Sequence, residues 1–153
     1  MSTHLHDTDF YGWTHQQVSL LRTGRFEELD LSNLIDEIED MGKSQMRELE
    51  SRLGILLAHL LKWRYQPERR SIRWETTLQE QRRRLTRLLA DNPSLKPRLP
   101  KAQDDAYGDA RLIARRETAL PDSTFPETSP FSIEQILGRF PEKSLPAWPR
   151  NGA

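Results

Sequence analysis

The sequence predicts an all-α protein: a four-helix bundle-like domain with one very long central helix and a proline-rich C-terminal tail carrying a short helix. Three observations predict it. Between Asp30 and Pro67, apolar or small residues recur at Leu31, Ile35, Ile38, Gly42, Met46, Leu49, Leu53, Leu56, Leu60 and Trp63, in steps that average about 3.6, the helical period. At about 1.5 Å per residue such a helix would run roughly 50 Å, longer than a small domain is wide, so other elements must dock along it. Composition agrees, because 35% hydrophobic and 30% charged residues is lean for a compact globule but normal for helices with long solvated faces. Proline collects at one end, with six of the ten lying between Leu120 and Ala153, where no long helix is compatible with it.

Along the chain, 153 residues are expected to form one domain: residues 1–8 loose, 9–119 a helical bundle and 120–153 a wrapping tail. The first helix is placed at 9–23. Asp7 or Thr8 would cap it, Phe10, Trp13, Gln17 and Leu21 fall on one docking side, and Gly24 stops it. Leu29 and Leu34 flank the next cap, Asp30, at the spacing of a hydrophobic staple.

The central helix, 31–66, has two unlike halves. Before Gly42 its apolar stripe is narrow and flanked by acids, whereas LGILLAHLLKW from Leu53 onward is apolar nearly all round and should be the buried centre. Projection puts Leu56 and Leu60 on the buried side and Leu61 on the far side. A third helix at 70–91 ends at Asn92-Pro93, and the short connection before it makes the two antiparallel neighbours. SLKPRLP, broken by prolines, should be irregular or a single turn. In a fourth helix at 101–118, Ala102, Ala106, Ala110 and Ala114 form a row that permits close helix approach. Ser132 and Gln135 have the spacing of a capping box for a short helix over Ile133–Arg139. FPETSP and FPEKSLP read as two similar turns.

Several function classes lack support. Formal net charge is zero, which removes a whole-chain argument for nucleic-acid binding. Cysteine is absent, which excludes disulfides, thiolate metal sites and thiol catalysis. The N-terminus lacks a basic segment followed by an apolar run, and the longest apolar run, Gly54 to Ala58, is far too short for a membrane span. A cytoplasmic protein without membrane attachment is the expectation. No glycine-rich phosphate loop, HExxH, nucleophile elbow or helical ExxH pair is present, so no catalytic residue, metal site or cofactor is assigned.

In combination, NLIDEIEDMGKSQMRELESRL, LLAHLLKWRYQPERRSIRW, DNPSLKPRL, AYGDARLIARRETAL and FPETSPFSIEQIL resemble the bacterial family known as domain of unknown function 29, over Tyr11 to Phe140. The resemblance implies an all-helical domain, found chiefly in cyanobacteria and proteobacteria, and no assigned activity. Two departures stand out. Ser129-Pro130-Phe131 replaces the usual Cys-Pro-Tyr, and Ala119 replaces the usual Gly.

Two groups of residues are candidate sites. Gln45, Glu48, Arg52 and His59 fall along one line of the long helix, where they either satisfy one another at a helix crossing or line a polar pocket with His59 as its titrating group. The second group is electrostatic. From Phe26 to Glu50 there are nine acidic residues against Lys43 and Arg47, whereas from Lys62 to Leu88 nine basic residues face three acidic ones. The acidic extension at Asp36, Glu37, Glu39 and Asp40 needs a neighbour, and the Arg82, Arg83 and Arg87 face of a second copy would supply one, giving a homodimer. The favoured reading is a helical protein–protein interaction module. The alternatives are a ligand-binding or enzymatic bundle around His59 and Arg52, and nucleic-acid binding through the arginine-rich third helix.

Overall fold

The computed structural model describes residues 4–138, and every regular element among them is helical. The principal helices are α1 (His4–Thr8), α2 (Phe10–Arg22), α3 (Leu31–Tyr65), α4 (Ile72–Asp91), α5 (Leu99–Thr118) and α6 (Ile133–Ile136). Short 3₁₀ turns fill most of the connections. The chain groups into two compact units whose boundary falls at Ser44 and Gln45, inside α3.

Within residues 4–44, the N-terminus expected to be loose carries α1 instead. Its last residue is Thr8, so the cap of α2 is Asp9 rather than Asp7 or Thr8; the Asp9 carboxylate accepts the Gly12 N–H at 3.0 Å. Gly24 follows the end of α2 with φ of +72°, a left-handed conformation suited to a residue without Cβ. The buried line of α2 is Trp13, Gln17 and Leu20. Phe10 and Leu21, expected on the docking side, are half exposed. Asp30 explains the shift: its carboxylate accepts the Trp13 indole N–H at 2.9 Å, and its own backbone N–H donates to Gln17 Oε1 at 2.9 Å. These two bonds turn the Trp13–Gln17 side of α2 inward.

Residues 45–138 hold the main apolar core. From Leu53 to Tyr65 α3 is enclosed almost all round, with Leu53, Leu56, Leu57, Leu60 and Leu61 fully inaccessible. Leu61 is therefore a core residue, not the far-side position that projection assigns to it, because a helix covered on several sides has no free face there. Arg52 Nη1 lies 3.5 Å from Gln81 Oε1, in keeping with antiparallel α3 and α4. Ser71 caps α4, accepting the Trp74 N–H. On α5 the alanine row is buried throughout, and a Cβ built on Gly54 of α3 would sit 4.0 Å from the Ala106 carbonyl oxygen. Small residues on both helices thus set a close crossing. The fourth helix begins two residues before its expected start, since Pro100 is tolerated in a first turn where its missing N–H has no partner to lose.

Non-helical chain closes the core. Gln103, Tyr107 and Arg111, spaced by four on α5, all donate to residues 122–131: Gln103 to Ser129 Oγ and the Phe131 carbonyl, Tyr107 to the Pro126 carbonyl, Arg111 to the Asp122 and Phe125 carbonyls. Phe125 stands edge-on to Tyr65 and Phe131 lies under the Arg64 guanidinium. The Ser132–Gln135 capping box forms, but α6 stops at Ile136, and Gly138 follows with φ of +81°. Arg139 and the FPEKSLP stretch lie outside the described residues.

Candidate functional site

Both candidate groups of residues are built on α3 and α4, and the four-residue polar line divides into two places. Gln45 and Glu48 line a groove of about 1170 Å³ between α3 and α4, whose other wall includes Arg83, Arg84 and Arg87. Arg52 is not part of that lining and lies 3.7 Å from Glu48 and 3.5 Å from Gln81. His59 has different company. Its Nδ1 is 2.9 Å from the Ile55 carbonyl, and since a carbonyl only accepts, the proton sits on Nδ1 and the neutral ring presents Nε2 as an acceptor. Burial pushes its pKa down, and the charges that act on it are those of Lys62 and Glu117.

The residues beside His59 form a polar cluster that helical spacing alone does not reveal. Lys62 is buried, yet its ammonium donates to Glu117 at 2.8 Å and lies 5.1 Å from the centre of the Trp74 ring. That hydrogen bond holds the Glu117 carboxyl below its usual range against the opposing effect of burial. A lysine in the apolar run LLKW is the one sequence signal that points here, because an ammonium in such a position must find a counter-charge. Its partner lies on α5, far along the chain. No group of three or more His, Asp or Glu suited to a metal occurs among the described residues.

The arginines of α4 have distinct fates. Arg82 turns inward and donates to the Ile136 and Gln135 carbonyls, where it caps α6, and burial lowers its pKa to about 10. Arg84 pairs with Glu80 at 3.0 Å. Arg83 and Arg87 are exposed and line the groove. On the acidic side, Glu37 accepts from His6 Nε2 at 2.7 Å, a bond that raises the His6 pKa, whereas Asp36, Glu39 and Asp40 are exposed.

An apolar surface accompanies those acids. Of the eleven large apolar side chains exposed among the described residues, nine belong to residues 4–44. On α3 they are Leu31, Ile35, Ile38 and Met41, each between 54% and 62% accessible, at the spacing of one helix face. Gly42 continues the stripe, and a Cβ built there would meet nothing within 4 Å. No described helix is long and apolar enough to cross a membrane, so this apolar surface is a local face and not part of a span.

No curated protein and no solved structure matches the chain. A family model does match, over residues 5–140, and it takes in both units, the groove and the exposed stripe. The chain belongs to the DUF29 family, Domain of unknown function DUF29.

Proposed function

We propose that the protein is a helical protein–protein interaction module that docks through the apolar face of residues 4–44. The observation that carries this reading is the concentration of exposed large apolar side chains there, nine of the eleven among the described residues, four of which follow one face of α3. Exposed apolar area of this kind is costly in water, and rimmed by polar residues it marks association surfaces. Glu39 borders the stripe, and Asp36 and Asp40 on the far face of the same helix add negative charge to the segment, which favours a basic partner. A homodimer meets that requirement from the chain's own charge pattern. Arg52 and His59 have separate partners, which favours docking over a shared ligand pocket.

Sedimentation velocity over a range of concentrations tests the reading. The wild-type chain is expected to self-associate, and Ile35→Glu with Ile38→Glu to sediment as a monomer with unchanged helical circular dichroism. A wild-type chain that is monomeric at every concentration overturns the homodimer.

A further inference from the structure

Helix α1 is five residues long and contains no buried residue, too short to persist in water on helical propensity alone. What holds it is a small set of contacts made by His6. The His6 Nε2 atom lies 2.7 Å from the Glu37 carboxylate on α3, and its Nδ1 lies 3.3 Å from that of Asp7. Both neighbours are carboxylates, so only the imidazolium, with a proton on each nitrogen, donates to both. The charge on His6 also acts on the buried carboxylate of Asp30. From α2 come two uncharged rings, those of Trp13 and Phe10, edge-on to the imidazole with centroids 4.7 and 5.4 Å away. Aromatic neighbours of this kind favour a cation over a neutral ring.

We propose that α1 is a proton-controlled clasp, closed against Trp13 while His6 carries its second proton and released when that proton is lost. Closed, the imidazolium lies against the ring whose own N–H is engaged with Asp30 at 2.9 Å, and it ties α1 to α3 through Glu37. Loss of the proton turns one N–H into a lone pair. A neutral ring donates to Glu37 or to Asp7 but not to both, and Glu37, Asp7 and Asp30 then face one another without the positive charge between them. Asp7 is 78% accessible and turns to water, whereas Glu37 and Asp30 are partly or fully buried, so the cost falls on the contact that holds the clasp. The closed form therefore belongs to low pH and is lost as pH rises. Across the transition the closed-to-open ratio falls about tenfold for each pH unit by which the closed-state midpoint exceeds the open-state one. Opening uncovers one side of the Trp13 ring and adds it to the exposed apolar surface of residues 4–44.

Spin labelling of the full-length chain tests the clasp. Cysteine is absent, so His4→Cys carries a single nitroxide at the exposed start of α1, and its EPR line shape reads whether α1 is held. Between about pH 5.5 and about pH 8.5, a range that brackets the ordinary imidazole value, the label is expected to pass from constrained to mobile. The midpoint should coincide with that of the His6 imidazole followed by NMR. His6→Arg in the labelled chain keeps its charge throughout and should leave the label constrained at both ends of the range. His6→Gln, neutral throughout, should leave it mobile at both. Circular dichroism at each pH confirms that the remaining helices persist. A wild-type line shape that does not change with pH overturns the clasp. So does His6→Gln if the transition survives in it, which would assign the titration to another group, or if its label is as constrained as the wild type's at low pH, which would show that no charge is needed.

Discussion

The Tyr107 hydroxyl donates to the Pro126 carbonyl oxygen at 2.6 Å, joining the middle of α5 to a stretch of chain with no hydrogen-bonded ladder of its own. Proline lacks an N–H, so the segment around Pro121, Pro126 and Pro130 is short of backbone donors: Thr124 N–H serves the Pro121 carbonyl, while side chains of α5 serve those of Phe125, Pro126 and Phe131. Burial raises the Tyr107 pKa, so the phenol stays protonated as a donor across the physiological range. Tyr107→Phe removes the donor and leaves its acceptor in place. A loss of about 0.5–1.5 kcal/mol is expected, read as a lower urea midpoint at unchanged slope, and no change in midpoint would mean that the bond contributes nothing.

Ala119 adopts φ of +58° at the C-terminal cap of α5, the position where the family resemblance expects glycine. A Cβ in the left-handed region costs roughly 1–2 kcal/mol. Part of that is recovered because alanine restricts the unfolded chain more than glycine does. Ala119→Gly should therefore stabilise the protein by about 0.5–1 kcal/mol, visible as a raised melting temperature. A lowered one would show that the cap is not strained.

Leu56 and Leu60 are fully inaccessible, and each Leu→Ala change should cost about 2–5 kcal/mol in chemical denaturation. The control is Ile72, 74% accessible in the first turn of α4, where Ile→Ala should stay within about 0.5 kcal/mol. Leu61→Ala belongs with the first group. An effect at Leu61 as small as that at Ile72 would place it back on an open face.

His6 and His59 titrate in opposite directions. Hydrogen bonding to Glu37 raises the His6 pKa above 6.5, whereas burial lowers that of His59. His6 therefore contributes stability that is fully present below about 6.5 and is lost as pH rises through its raised folded value. For His59 the folded state disfavours the proton, so stability is present above about 6.5 and is lost as pH falls toward the lowered folded value. Imidazole chemical shifts followed by NMR should give two midpoints on either side of 6.5. Glu37→Gln should bring the His6 midpoint back toward 6.5, and a midpoint that stays put would assign the shift to another cause.

The sequence by itself determined the helices and most of their ends. A 3.6-residue period, a capping side chain such as Ser132, and prolines at positions 67 and 93 act within a few residues, so they are legible without the fold. The same holds for the close-packing alanine row of α5 and for the acid-rich and arginine-rich halves of the hairpin. Tertiary structure decided which residues each helix presents to which neighbour. Lys62 meets Glu117 across 55 positions, Arg82 turns to α6 instead of solvent, and Trp13 takes Asp30 as its partner. Leu61 shows why projection alone misplaces such residues: a helical wheel gives direction about one axis, but burial depends on how many elements surround that axis. Side-chain pairing between distant segments is settled by desolvation and hydrogen-bond geometry in the packed state, and neither exists until the chain has folded.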